Sequence, residues 1–135
     1  MNTIKKIVVL ILFLKLSIAY ATHIPGLNLS YQCIGNNTYI ITLTLFEDCG
    51  QAFIPNSPES IDISDDCGFN IGNISLPIIT YQEEVSQLCP NFLDSSECNV
   101  GTLPGVYMHV WSDTIVLPDT CDSWTFSYQS CCRNN

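Results

Sequence analysis

The chain has 135 residues and eight cysteines, and its 13 acidic residues outnumber its four lysines and arginines, for a formal net charge of −9. Affinity for nucleic acid depends on Lys and Arg releasing counterions from phosphates, so this composition excludes nucleic acid as a partner. The length suits one well-packed domain.

The first 21 residues have the three parts of a secretory signal peptide. Two lysines precede an apolar run from residue 7 to 14, and small residues lead up to Ala21. Lys15 interrupts the apolar run, which is shorter than the roughly 20 residues that a membrane-spanning helix needs. The sequence therefore predicts an N-terminal signal helix over 1–21, cleaved between Ala21 and Thr22, with membrane contact only during export.

Cleavage would leave one domain at residues 22–135 that keeps every cysteine and loses every lysine. Arg133 would then be the only strong base beside 13 carboxylates, a formal charge of 1 − 13 = −12. An even number of cysteines behind a signal peptide predicts a disulfide framework formed in an oxidising compartment. All eight are expected to pair, namely Cys33, Cys49, Cys67, Cys89, Cys98, Cys121, Cys131 and Cys132.

Apolar residues recur at every second position through most of this domain, which is the period of a half-buried strand. Residues 27–46 predict a β-hairpin, because Gly35-Asn36-Asn37 tolerates positive φ at the turn. Further strands are expected at 60–64, 71–81, 106–111, 114–117 and 123–130, with Pro77 making the second an edge or bulged strand. About seven strands predict an all-β, antiparallel, disulfide-stapled sandwich of the immunoglobulin-like kind.

The segment from Gln82 to Leu103 lacks this alternation and predicts a long ordered loop. Loops of that length need a staple or a function. A bridge between Cys89 and Cys98 would close the loop over a short stretch of chain. We therefore expect that pairing.

The adjacent Cys131 and Cys132 would point to opposite faces of a strand, so they should serve two different bridges. Cys132 shares the parity of Trp124, and Cys33 shares that of Leu29, which would turn both towards the core. Cys33–Cys132 is therefore a candidate bridge between the sheets. The remaining pairings stay open, since eight cysteines allow 105 complete sets.

The arrangement of reactive side chains argues against an enzyme. No Cys-x-x-Cys pair or Cys and His cluster at ligand spacing occurs, which disfavours zinc and thiol redox chemistry. Carboxylate pairs at 47–48, 65–66 and 83–84 are expected to face solvent, and His109 to lie at the surface or the core edge. We predict no catalytic residue and no cofactor.

Two weaker patterns point to ligand binding. Asp62, Asp65 and Asp66 form a carboxylate cluster beside Cys67, and hard oxygen ligands of this type suit Ca²⁺. The cluster lacks the spacing of a known calcium loop. Trp111 and Trp124 are candidates for a sugar-stacking face, although large aromatic residues in such a sandwich usually fill the core.

Several short motifs follow one another in a set order along the domain. They are the string from Tyr31 to Tyr39, then Asp48-Cys49, Leu88-Cys89-Pro90, Cys98-Asn99, Leu103-Pro104-Gly105-Val106, Cys121-Asp122-Ser123-Trp124 and Cys131-Cys132-Arg133-Asn134. This order resembles the N-terminal domain of gliding-motility-associated surface proteins of Bacteroidetes, which carry a C-terminal sorting domain for type IX secretion. Phe46-Glu47 departs from the aromatic–Arg pair that is usual there.

The resemblance implies a non-catalytic, extracellular β-domain with a structural or adhesion role at the head of a longer protein. The partners of this domain would be the further domains of that longer protein. A glycan or a protein on a surface is another possible partner. Because the sequence stops at Asn135, where members of the family continue, we expect a fragment. A complete short form would be exported only to the periplasm. Asp113-Thr114-Ile115 resembles the O-glycosylation acceptor of that phylum, which makes Thr114 a candidate attachment site.

Overall fold

The computed structural model describes residues 24–50, 54–68, 70–118 and 121–129. They contain seven strands: β1 Gly26–Gly35, β2 Thr38–Asp48, β3 Glu59–Asp65, β4 Asn70–Leu76, β5 Ile78–Glu84, β6 Val106–Val116 and β7 Trp124–Ser127. Two 3₁₀ helices, Pro90–Ser95 and Glu97–Asn99, lie between β5 and β6. The predicted signal helix and its cleavage site lie outside the described residues. Within those residues, no helix is long and apolar enough to cross a membrane.

The strands form two sheets, ordered β1-β2-β6-β5 and β4-β3-β7, and within each sheet every pair of neighbouring strands is antiparallel. This confirms the all-β sandwich. The division into four and three strands is that of a constant-type immunoglobulin domain, while the order of the strands within each sheet differs.

The hairpin of β1 and β2 turns where the sequence predicts. Asn36 and Asn37 adopt φ of 50° and 53°, the left-handed region that asparagine tolerates better than most residues. This turn sets the register between β1 and β2, in which Leu29 lies opposite Leu43. The turn is joined to the end of β6 because the Leu117 N–H donates to the Asn37 carbonyl at 2.8 Å.

Alternate residues of β2 make the centre of the core. Ile41 and Leu43 are fully buried and meet Ile61 and Ile63 of β3, which are also fully buried. Each such side chain contributes about 1.5–3 kcal/mol when it leaves water. Trp111 of β6 completes the core, and its indole N–H donates to the Ser57 carbonyl at 2.8 Å, so its one polar atom is paired.

Two strand boundaries differ from the prediction. The single strand expected at 71–81 breaks at Pro77, so that β4 and β5 belong to different sheets. Proline has no N–H to offer a ladder, and here it marks the crossing from one sheet to the other. Conversely, the strands expected at 106–111 and 114–117 are one strand, because Ser112 continues the backbone pairing and its hydroxyl donates to the Ile41 carbonyl at 2.8 Å.

Two disulfides hold the sandwich, Cys49–Cys98 and Cys67–Cys121, with Cα atoms 5.0 and 5.9 Å apart. The predicted Cys89–Cys98 bridge is therefore wrong. The Cys49 N–H donates to the Gly105 carbonyl at 3.0 Å, and that contact brings the end of β2 to the loop that carries Cys98. Gly105 must lack a side chain, since a Cβ there would lie 2.5 Å from the Cys98 Sγ.

Four of the eight cysteines expected to pair do so among the described residues, and for the other four the expectation stays a prediction. Cys33 and Cys89 are exposed, and neither is bridged to another described cysteine. The two disulfides already use the other four described cysteines. Cys131 and Cys132, and with them the candidate Cys33–Cys132 bridge, lie outside the described residues.

Digestion of the unreduced protein on the N-terminal side of aspartate tests this pairing. Mass spectrometry should find peptide 48–61 linked to 94–112, and peptide 66–93 linked to 119–121, because each pair contains one of the two bridges. Reduction before digestion is the control and should release all four peptides. A linked species of 66–93 with 94–112 would instead indicate the local Cys89–Cys98 bridge.

Candidate functional site

The loop between β5 and β6 is anchored by a carboxylate as well as by a disulfide. Glu84, at the end of β5, accepts hydrogen bonds from the hydroxyls of Ser96 at 2.5 Å and Ser86 at 2.9 Å, and from the Asn99 amide at 2.8 Å. Ser96 is fully buried, so its hydroxyl needs this acceptor. The Ser86 oxygen in turn accepts the Val106 N–H at 3.0 Å. The carboxylate therefore joins both 3₁₀ helices to the sheet.

These hydrogen bonds favour the ionised carboxylate. They lower the pKa of the Glu84 carboxyl below its usual 4.5, with Ser96 contributing most, Ser86 next and Asn99 least, against the opposing effect of desolvation. The neighbouring Glu83 is exposed. Of the predicted solvent-facing pair, Glu83 behaves as expected, whereas Glu84 is a structural acceptor.

Glu47 and His109 form a buried pair across β2 and β6. The His109 Nε2 lies 2.6 Å from the Glu47 Oε2, and the two residues are 0 % and 3 % exposed. The imidazole stacks on Trp111 with ring centres 5.9 Å apart and meets the Tyr81 ring edge-on at 5.1 Å. Among the described residues, its Nδ1 has no hydrogen-bond partner.

The expectations that Glu47 faces solvent and that His109 lies at the surface or core edge are therefore wrong. Glu47 continues the buried odd-numbered series of Leu43 and Leu45 on β2, and His109 shares the parity of Trp111 on β6. Strand parity alone could have located both side chains in the core. An acid–base catalyst must reach its substrate, whereas this pair is enclosed and each member is the partner of the other.

The carboxylates proposed for Ca²⁺ have separate local roles. The Asp65 Oδ1 accepts the Cys67 N–H at 3.0 Å, and the Asp66 Oδ2 accepts the Ser123 hydroxyl at 2.9 Å. Asp62 lies on the outer face of the β4-β3-β7 sheet, in a polar groove of about 430 Å³. In the described ranges, the side chains of Asp65, Cys67 and Cys121 lie close enough together to be considered as metal ligands. The sulfurs of Cys67 and Cys121 are joined in a disulfide, however, and thiolates are the form in which cysteine binds a metal.

A second groove, of about 270 Å³, lies where β1 and β2 of one sheet approach β7 of the other. Four aromatic side chains line it together with one carboxylate and three hydroxyls, two of them phenolic. The lining residues are Tyr31, Tyr39, Leu117, Asp122, Ser123, Trp124 and Phe126. Trp124 and Phe126 also pack against the core cluster, as their parity predicts. We call this site the aromatic groove.

The two tryptophans considered for sugar stacking are not on one face. Trp111 is fully buried in the core, and Trp124 is half-buried in the aromatic groove. Thr114, the candidate glycosylation site, is exposed on β6, and its N–H donates to the Asp113 carboxylate at 2.7 Å. Modification of Thr114 stays a prediction.

Comparison of the chain with protein-family models, with curated proteins and with solved structures found no match. The resemblance to gliding-motility-associated proteins therefore stays a prediction.

Replacing one member of the buried pair should cost more stability than replacing both. We expect His109→Phe to lower the free energy of unfolding by about 3–5 kcal/mol, because Glu47 would remain as an unpaired buried carboxylate. The double variant with Glu47→Leu should regain at least half of that loss. Chemical denaturation of both single variants and the double variant measures the coupling, and strictly additive losses would contradict a pair that acts as a unit.

The Glu84 network predicts a pH dependence with a definite sign. The folded-state pKa is lowered, so this stabilisation is fully present above pH 4.5 and is lost as the pH falls through the lower pKa of the folded protein. Glu84→Gln should therefore melt at a lower temperature than the unsubstituted protein at neutral pH, and the difference should shrink in acid. Glu83→Gln is the matched control and should follow the unsubstituted protein. A constant difference across the pH range would contradict an ionised acceptor.

Proposed function

We propose that this chain is a non-catalytic β-sandwich module of a secreted or cell-surface protein, with a structural or adhesion role. The two long-range disulfides carry this proposal. They join residues 49 and 54 positions apart, at the ends of β2 and β3. Disulfides form and persist mainly in oxidising environments such as the periplasm or the cell exterior.

The bridges also matter energetically to a domain of this size. On chain-entropy arithmetic, closing a loop of about 50 residues contributes about 4 kcal/mol. That is a large part of the 5–15 kcal/mol typical of whole domains. The module should therefore depend on oxidation for its folded state, which suits a protein that matures after export.

The absence of an enzymatic role is supported by how the acid–base groups are used. Glu47 and His109 are enclosed, and Glu84 already accepts three side-chain hydrogen bonds. A general acid or base has to lie within hydrogen-bond reach of a substrate. These groups instead hold strands and loops together.

A place among gliding-motility-associated surface proteins of Bacteroidetes is the finer part of the proposal. Its support is that cysteines of the resembling motifs carry the framework: Cys49, Cys98 and Cys121 are all in bridges, and Gly105 packs on one of them. Further domains of a longer protein would then be the partners. The motif cysteine Cys89 is not bridged to another described cysteine and gives no such support.

A Ca²⁺-dependent or glycan-binding module is the second candidate. The aromatic groove favours ligand binding, since aromatic faces are common contacts for ligands in surface clefts. The calcium part has less support, because Asp65 and Asp66 accept hydrogen bonds from the protein itself.

Production of the chain with its own leader in an export-competent bacterium, and without it in a reducing cytosol, tests the main proposal. We expect the exported protein to begin at Thr22, to contain the bridges of Cys49 and Cys67, and to resist protease. The cytosolic protein should be reduced and readily digested. Cys89→Ser is the control and should not change export or resistance, since Cys89 is exposed and not bridged to another described cysteine. Equal resistance of the reduced protein would contradict a fold that depends on oxidation.

A further inference from the structure

The aromatic groove holds its rings in set positions before any ligand arrives. Tyr31 is 65 % exposed, and its ring centre lies 5.6 Å from that of Phe126 and 6.2 Å from that of Tyr39. The Trp124 indole N–H donates to the Cys121 carbonyl at 3.0 Å, next to the Cys67–Cys121 bridge. The hydrogen bond restrains Trp124 and the ring contacts restrain Tyr31, which reduces the free energy that a ligand would lose in ordering them.

Among the described residues, every side chain with a permanent charge is a carboxylate. The four lysines and arginines of the chain, Lys5, Lys6, Lys15 and Arg133, all lie outside the described residues, so the described sandwich presents carboxylates with no Lys or Arg to neutralise them. Asp122 is exposed in the groove wall, and no ion pair or side-chain hydrogen bond joins it to another described residue. A carboxylate in such a field attracts cations.

We infer that the aromatic groove binds the cationic side chain of an arginine or lysine presented by a basic protein partner. A cation within about 6 Å of an aromatic ring centre is attracted by the ring quadrupole, and Arg also stacks flat on such rings. Asp122 would pair with the bound charge, since carboxylates match the hydrogen-bonding fork of a guanidinium. The groove volume of about 270 Å³ suits one long side chain.

The chemistry favours this occupant over a neutral sugar. The lining has four aromatic rings and one charged side chain, Asp122, beside the hydroxyls of Tyr31, Tyr39 and Ser123. A neutral sugar could use the hydroxyls and a ring face but would leave the charge of Asp122 unmatched, whereas a cation uses both the carboxylate and the aromatic faces. The contrasting polar groove around Asp62 has no aromatic wall among its lining residues.

This inference adds a ligand to the proposed adhesion role and partly rests on it. The two can fail separately. If cations do not bind, the inference fails but the proposal of a disulfide-stapled structural module stands. If the fold forms without oxidation, the proposed function fails but the binding experiment below still decides the inference.

Titration of the purified protein with a blocked Gly-Arg-Gly tripeptide tests the inference, with the citrulline tripeptide as the neutral isostere. Trp124 reports binding, because its indole N–H signal in NMR should shift while that of the buried Trp111 stays unchanged. We expect the arginine peptide to bind at least tenfold more tightly than the citrulline peptide. Its affinity should also fall as salt is raised, as for a charge pair.

Variants then locate the site. Tyr31→Ala and Asp122→Asn should each weaken binding at least fivefold. The matched controls Phe92→Ala and Asp94→Asn change an exposed aromatic residue and an exposed carboxylate elsewhere and should have no effect. If either groove variant alters the melting temperature, the Trp124 shift in the unsubstituted protein still decides the question.

Three results would overturn the inference. They are equal binding of the citrulline peptide, a Trp124 shift with neutral oligosaccharides but not with arginine, and no shift with arginine peptide at about 10 mM, where even a very weak contact would register. Binding that appears only in an Arg133→Gln variant would also overturn it, because the groove would then be assigned to Arg133 of the same chain rather than to a partner.

Discussion

Backbone pairing between β2 and β6 is the constraint on which the rest of this structure depends. The two strands pair without a break from Thr38 opposite Val116 to Asp48 opposite Val106. Alternate side chains of both strands are buried, so one face of this strand pair lies in the core. β1 pairs with the free edge of β2, and β5 pairs with the free edge of β6. A continuous central ladder satisfies the backbone polar groups that burial would otherwise leave unpaired.

The same alternation explains the most unusual feature of the core. Glu47 and His109 occupy positions that a simple pattern reserves for apolar side chains, and they are tolerated because each satisfies the other at 2.6 Å. A buried pair of this kind adds little net stability compared with apolar residues, but losing one member is costly. Cys49, the residue after the end of β2, continues this buried series and forms the bridge with Cys98.

The prediction from sequence succeeded where structure is local. The turn at Asn36 and Asn37 depends on backbone conformations that these residues themselves favour, and the burial of Leu43 follows from the parity of one strand. The predicted number of strands is also confirmed, but by two opposite errors. Pro77 divides one expected strand between two sheets, and Ser112 continues a strand that its polarity suggested would end. Each of those outcomes depends on a neighbouring strand.

The sequence by itself determined the all-β class, the ordered loop after β5 and the strongly acidic character, since these follow from periodicity and composition. Only the tertiary structure decided which cysteines pair. Cys98 is nine residues from Cys89 in sequence but lies 5.0 Å from Cys49 between Cα atoms, because the Gly105 contact brings β2 to the loop. The aromatic groove likewise combines strands from both sheets. Distances across a fold come from packing, which no local pattern encodes.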